Sequence, residues 1–327
     1  MKNTAGPSEA TRKHVLKVAR ALGYVPDPHL ASFMAQVRET KVKDFEPIAW
    51  LSDSPNPSVW ETYKFLAPYY HGARQRALQL GYRIELVATN DEAISMSRVA
   101  KMIYNRGIPG VIVTHEFKRR GKLYWNSLAA IGLEGAMFAP RLSQVKTDHF
   151  YNLLLALKML RRFGYNRIGL CLEDTVDRRS FHIIRSALLY FQTGLPKGAP
   201  VPPLFYEVRK RISMQEGDRD RYNLVVAWTR KHRPDVILCL HEGVERWLTK
   251  AGYRVPEEIG IAHLATDDDV SDWAGIHSKR SEIGAAAVEQ VVSLIQNRQF
   301  GVPQTPISME IRGVWHNGRT LLTPKPK

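Results

Sequence analysis

The sequence predicts an α/β protein of two similar parallel-sheet domains, preceded by a short, basic, helical N-terminal segment. Three observations carry this reading. From residue 45 on, apolar runs of strand length alternate with helical stretches, the pattern of a parallel sheet covered by helices on both faces. The order nearly repeats in two halves, which suits two domains better than one very wide sheet. The chain has 327 residues of which 44% are hydrophobic, enough for two or three domain-sized cores and too apolar for a disordered chain.

The elements follow in order. EPIAWLS reads as a strand, FLAPYYHGARQRALQLGY as a helix and RIELVAT as the next strand. A helix over EAISMSRVAKMIYNRG leads to the strands PGVIVTH and AAIGL, and YNLLLALKMLRRFGY is helical. The second half runs NRIGLCL strand, RSFHIIRSALLYFQ helix, LFYEV strand, RYNLVVAWTRKH helix, DVILCL strand, GVERWLTKAGY helix and EIGIAHL strand. A late helix, EIGAAAVEQVVSLIQNR, precedes a β-like tail, PISMEIRGVW.

Residues 1–43 differ in character, carrying eight Lys or Arg against three acids. Ser8 is placed to cap a helix on which Val15, Val18, Ala19 and Leu22 share one face, and Gly23 is placed to end it. Pro26 and Pro28 keep the next residues extended. Leu30, Phe33, Met34 and Val37 then repeat the helical spacing over a stretch too short to be stable alone in water.

The formal charge of +15 favours an anionic partner, nucleic acid being the commonest, although enzymes of anionic substrates share such surfaces. Two cysteines, Cys171 and Cys239, each inside an apolar run, exclude a disulfide scaffold and read as buried strand residues. No stretch has the apolar length of a membrane span, and the first residues hold no apolar leader core, so a cytoplasmic protein is expected. His115-Glu116 and His241-Glu242 are adjacent pairs, but neither forms an H-E-x-x-H zinc motif. No dinucleotide-binding glycine pattern, phosphate loop or nucleophile elbow is present, so neither catalysis, metal nor cofactor is expected.

The stretch from Ser8 to Arg38 resembles the last headpiece helix and hinge of the LacI/GalR repressors. Thr11, Arg12, Val15, Ala19, Leu22, Gly23, Tyr24, Pro26 and Pro28 match the family's run, with Asp27 where Asn is usual. Asn56-Pro57 stands where the family has Asn-Pro after its first strand, and PGVIVTH is similar to its third strand. Asp148 matches the family's V-x-x-D-N segment, with His149 replacing Asn. Pro256 and Glu257 match its G-x-x-V-P-x-D segment, while His241-Glu242 replace Asn-Asp. The tail is similar to its crossover helix and last strands, so the resemblance runs from about residue 8 to residue 320.

The resemblance implies a periplasmic-binding-protein-like core over residues 44–327. Its N-subdomain would take about 46–162 with 277–300, and its C-subdomain about 163–276 with 301–320. It implies a ligand-responsive, dimeric transcriptional regulator that binds an operator and a sugar-type effector, with a helix in 61–80 at the dimer surface. Residues 1–43 would be a partial headpiece and hinge, since only seven residues precede the cap at Ser8 and the groove-reading helices of the family have no counterpart here. Arg12, Lys13, Lys17 and Arg20 suit phosphate contacts or an ordinary solvated face. Leu30, Phe33 and Met34 suit a minor-groove wedge, Phe33 first, or packing among themselves. Ser54, Asn56, Trp60, His115, Asp148, Arg178, Arg179, His241, Glu242, Asp267 and Trp273 fall at strand ends or the turns after them, where sugar-binding carboxylates, amides, guanidinia and aromatic faces are needed. By resemblance Asp148 and Asp267 would hold ligand hydroxyls and Arg178 or Arg179 would clamp the ligand. The alternative is a DNA-free solute-binding or sensor protein derived from the same family; an enzyme of phosphorylated sugars lacks a catalytic constellation.

Overall fold

The computed structural model describes residues 45–53, 58–89, 95–114, 123–135, 140–196, 199–207, 214–267 and 270–322, together with position 18. The chain divides into two units, Met1–Phe45 and Glu46–Lys327, and the sheets, cores and cavity all lie in the second. The expected headpiece and hinge residues Arg12, Lys13, Lys17, Arg20, Leu30, Phe33 and Met34 lie outside the described residues, as do Ser54, Asn56 and His115.

The first lobe is built on β1 (Glu46–Ser52), β2 (Tyr82–Ala88), β3 (Gly110–Val113), β4 (Ala129–Leu133), β5 (Ser143–Thr147) and β11 (Ser308–Ile311), all parallel. They stand in the order β11-β5-β4-β3-β1-β2. Successive side chains of a strand point to opposite faces. Ile48 and Trp50 therefore face α2 (Ala67–Gln79) and α9 (Arg280–Gln296), while Ala49 and Leu51 face α3 (Met96–Asn105). Burial on both faces explains why β1, β3 and β4 read as continuous apolar runs. The short helix α1 (Val59–Thr62) seats Trp60 in the same core.

The second lobe repeats the plan with β6 (Ile168–Glu173), β7 (Leu204–Tyr206), β8 (Val236–Cys239), β9 (Gly260–His263), β10 (Gly275–His277) and β12 (Val314–His316), ordered β12-β10-β9-β8-β6-β7. Only β10 and β12 pair antiparallel. One face packs on α4 (His149–Arg162) and α6 (Ile183–Thr193), through Leu153, Leu157, Leu160, Ile184 and Leu188. The other packs on α7 (Met214–His232) and α8 (Gly243–Lys250), through Val225, Trp228, Trp247 and Leu248. Cys171 and Cys239 sit in that core, and burial pushes the Cys239 thiol up to about 12, so both are packing residues. The predicted fold class is thus the observed one.

Several expectations need correction. The lobe boundary lies at Asp148, not after residue 162, because the apolar stripe of α4 packs in the second lobe. The tail is split: β11 completes the first sheet and only β12 joins the second. The helix expected over RSFHIIRSALLYFQ starts only at Ile183 (α6), because Phe181 and His182 take left-handed backbone (φ 54° and 60°); Arg179 instead ends a separate short helix, α5 (Asp174–Arg179), that was not foreseen. β5 and β10 were not foreseen, since SQVKT alternates at the sheet margin and GIH is too short to show a period.

Among the described residues three segments cross between lobes: Asp148 from β5 to α4, Ser278–Lys279 from β10 to α9, and Arg312–Gly313 from β11 to β12. The first and third are laced together. Asp148 N–H donates to Ile311 O at 3.0 Å, Arg312 Nε donates to Asp148 Oδ2 at 3.2 Å, and Gly313 N–H donates to Asn152 Oδ1 at 2.8 Å. Helices α2 and α9 approach backbone to backbone. A Cβ on Gly72 would overlap the Ser281 carbonyl, and one on Gly284 would overlap the Tyr69 carbonyl.

Candidate functional site

In both sheets the strand order reverses direction beside the first strand of the lobe, and ligands of open α/β sheets bind beyond the strand C-termini at that point. A cavity of about 180 Å³ occupies this place, between the carboxyl ends of the two sheets. The first lobe contributes Phe65 and Tyr69 around the start of α2, Glu134 and Gly135 after β4, and Lys146 and Thr147 at the end of β5. The second contributes Asn152 of α4, Arg179 and Ser180 after β6, Leu240 after β8, and Leu264 and Ala265 after β9. His149, Ser278 and Arg280 come from the crossovers.

Glu134 is the organising acid. Its backbone is left-handed (φ 51°), which turns the side chain back over β5. Oε1 accepts from Tyr69 O–H at 3.1 Å, Thr147 N–H at 3.1 Å and Thr147 Oγ1–H at 2.6 Å. Oε2 lies 3.9 Å from His149 Nε2. Burial, then the Glu134 charge, holds the Tyr69 hydroxyl well above the usual phenol range, so it stays a donor. Burial also lowers the His149 imidazole, which Glu134 only partly opposes, so the ring is neutral near pH 7.

Arg280 is the second anchor and is fully buried. Nη1 donates to Phe65 O at 2.9 Å and Nη2 to Ala265 O at 3.1 Å, and the guanidinium lies 3.9 Å from the Phe65 ring centre. Its Nε stands 3.4 Å from Asp267 Oδ2. Asp267 also accepts from Ser278 N–H (3.1 Å), Ser278 Oγ–H (2.5 Å) and Arg280 N–H (3.2 Å). Burial alone would raise this carboxyl, but the Arg280 charge and the Ser278 bond outweigh it and hold it below its ordinary value. Arg280 thereby ties Phe65 of the first lobe to Ala265 of the second.

The α5–α6 turn that presents Arg179 and Ser180 is fixed from beneath by fully buried Asp177. Its carboxylate accepts from Arg185 N–H and Arg185 Nε, each at 3.0 Å, and meets His182 Nδ1 at 2.9 Å. Across the cleft, a Cβ on Gly135 would come within 2.9 Å of Arg179 O, so the lobes touch here.

Of the residues expected from sequence, Arg179 lines the cavity. Asp267 stands behind the wall and orients Arg280 instead of facing the cavity. Asp148 does not line it either: it caps α4, accepting from Tyr151 N–H at 2.9 Å, and pairs with Arg312. Trp60 and Trp273 are core residues, Trp60 bonded to Ser52 Oγ at 2.9 Å and Trp273 set edge-on against His263. Arg178 points outward and pairs with Asp174 at 3.0 Å. His241 stacks on Trp247 with ring centres 4.7 Å apart, and Glu242 is exposed beside it, so neither reaches the wall. Tyr69, Glu134, Thr147, Asn152 and Arg280 were missed. None of them carried a local sequence signal. Among the described residues no group of three His, Cys, Asp or Glu gathers to hold a metal, and no helix is long and apolar enough to cross a membrane.

Two six-stranded lobes, three crossovers among the described residues and an inter-lobe cavity define a two-lobed α/β fold. Residues 157–313 match the family model of the periplasmic binding protein-like domain. Solved structures of similar fold include transcriptional regulator CelR in complex with cellobiose, at 15% identity over 96% of this chain and 91% of that one, TM-score 0.64. A LacI-family regulator from Enterococcus faecium with bound ribose aligns at 17% identity over 86% of this chain and 100% of that one, TM-score 0.58. A periplasmic binding protein/LacI transcriptional regulator from Alkaliphilus metalliredigens QYMF with D-xylulofuranose aligns at 14% identity over 85% and 100%, TM-score 0.59. The resemblance read from the motifs therefore holds at the level of the fold. No curated protein sequence matches the chain significantly.

Proposed function

We propose that this protein is a ligand-responsive, DNA-binding transcriptional regulator of LacI type that works as a dimer in the cytoplasm and senses a sugar-type molecule. The observation that carries the reading is the cavity walled by both lobes. A ligand seated there touches Tyr69 and Glu134 on one side and Asn152, Arg179 and Ser180 on the other, so it binds the closed arrangement better than an open one. The size and the mix of hydrogen-bonding groups with the Phe65 face suit a monosaccharide. Sugars occupy the similar structures of CelR and the Enterococcus and Alkaliphilus proteins, which supports that class. The charge of +15 supports an operator as the second partner.

The test has two arms. A thermal-shift screen with pentoses, hexoses and disaccharides should find ligands that raise the melting temperature by several degrees, since a ligand at a hundredfold excess over Kd adds about 2.7 kcal/mol. Selection of bound sequences from random duplex DNA should recover a motif whose affinity changes when that ligand is added. A ligand that binds while no DNA is retained would overturn the regulator reading and leave a solute sensor.

A further inference from the structure

The outer end of the second lobe carries more positive charge than its fold uses. Strands β6 and β8 start side by side there, Ile168 opposite Val236, with their carboxyl ends toward the cavity and their amino ends away from it. Helices α4 and α7, on opposite faces of the sheet, both finish at this end. Residues 161–167 hold Arg161, Arg162 and Arg167, and residues 230–235 hold Arg230, Lys231 and Arg233, all six exposed. Against them the two segments hold one acid, Asp235, whose carboxylate accepts from Asn166 N–H at 2.7 Å and Arg167 N–H at 3.0 Å. The adjoining turn adds Arg254, paired with Glu258 at 3.1 Å, and exposed Glu257, which leaves this end strongly positive.

Cations at helix C-termini complement the helix dipole. Arg167 does this for α7, donating to His232 O at 2.6 Å and Arg233 O at 3.0 Å, and Arg161 reaches Asn166 Oδ1 at 2.7 Å. These partners are neutral, so neither guanidinium gives up its charge to an acid. The side chains of Arg162, Arg230, Lys231 and Arg233 have no carboxylate within ion-pair distance among the described residues. Neither segment exposes a large apolar side chain. A protein partner would need an apolar or aromatic anchor in the contact, and single-stranded nucleic acid would need an aromatic face for its bases. The two segments offer guanidinia without either, which suits the phosphates of a duplex.

We propose that this end of the second lobe binds duplex DNA through its phosphates, without reading sequence. The contact is additional to an operator contact: it uses residues of the folded core at the end away from the cleft, and none from residues 1–43. Each phosphate answered by a cation releases counterions, so the hold weakens steeply with salt.

The experiment is fluorescence anisotropy of the whole chain with a labelled duplex of about 30 base pairs and random sequence, from about 50 to 200 mM salt. The triple variant Arg162→Gln, Arg230→Gln, Lys231→Gln should bind at least tenfold more weakly at the lowest salt. Its plot of log K against log salt should be shallower by about two to three, since each phosphate contact contributes about 0.9. The charge-matched variant Lys101→Gln, Arg178→Gln, Arg219→Gln, exposed elsewhere, should stay within twofold of wild type. All six positions are exposed, so both variants should keep the wild-type urea midpoint. The loss should persist when Arg12→Gln, Lys13→Gln and Lys17→Gln are added, which separates this contact from the N-terminal segment. No loss, equal losses in the two triple variants, or a loss that vanishes in the N-terminal background overturns the proposal. So does tighter binding to polyglutamate or to phosphatidylserine vesicles at the same salt, which would assign the surface to an acidic protein or a membrane. Each of these failures leaves the operator and sugar readings standing, because the duplex selection and the thermal-shift screen do not depend on these residues.

Discussion

Replacing Arg280 with Met tests whether the buried ion pair holds the lobes together. Methionine keeps much of the length and the apolar contact with Phe65 but removes the charge. It deletes the bonds to Phe65 O and Ala265 O and the 3.4 Å pairing with Asp267. Asp267, 7% exposed, then keeps the backbone donors of residues 278 and 280, the Ser278 hydroxyl and the His277 ring at 3.6 Å, but loses its buried guanidinium. Breaking a buried pair by removing one partner costs about 3–5 kcal/mol, chiefly because the other charge is stranded. Set against a total of about 5–15 kcal/mol for an ordinary domain, the loss is large. Urea unfolding followed by far-UV circular dichroism measures it as a lowered midpoint. Asp267→Asn in the Arg280→Met background removes the stranded charge, so the double variant should be more stable than the sum of the single losses implies, by at least about 1 kcal/mol. An Arg280→Met protein within 1 kcal/mol of wild type, or strict additivity in the cycle, would refute the pairing argument.

Gly284→Ala should destabilise the protein by about 1–3 kcal/mol despite the better helix propensity of alanine, because the added methyl would overlap Tyr69 O where α2 meets α9; a raised melting temperature would show that the helices can part freely. His263 is 98% buried and pushed down to about 4, mainly by burial. Its folded value lies below the unfolded one, so its contribution is complete above pH 6.5 and is lost as pH falls toward 4, about 3 kcal/mol in all. His263→Gln should flatten the stability profile across that window, and an unchanged slope in urea midpoints from pH 7 to pH 4 would count against a neutral buried imidazole.

The legibility of this chain followed how local each feature is. Strands buried on both faces, such as the GVIV of β3 and the VILC of β8, announce themselves as apolar runs. The lobe boundary did not, because α4 is amphipathic whichever sheet it covers and only packing shows that Leu153, Leu157 and Leu160 face the second core. Site residues were harder still. A tryptophan at a strand end suggests a sugar-stacking face, yet Trp60 and Trp273 went to the cores, where their large apolar area is worth more. Acids at strand ends suggest ligand carboxylates, yet Asp148 and Asp267 serve a helix cap and a buried arginine. Glu134 was invisible in sequence because its role depends on a left-handed turn and on Tyr69, which lies 65 residues earlier.

These assignments bear on how a ligand would change the protein's shape. The lobes are tied through Arg280 to Phe65 O and Ala265 O and through the close approach of Gly135 to Arg179 O. A ligand adds contacts to both lobes and can shift the closed fraction only by the contacts it loses on opening. Driving a pair of states from 1:99 to 99:1 takes about 5.5 kcal/mol of such difference. The tie at Arg280 therefore sets where the unliganded protein starts. If it holds the cleft mostly closed, ligand binds near its intrinsic affinity but moves the lobes little. Weakening it lowers the apparent affinity by the fraction still closed, and the ligand-driven change in shape grows in return. Under the proposed function, ligand sensitivity and signal size would trade against each other through one buried guanidinium.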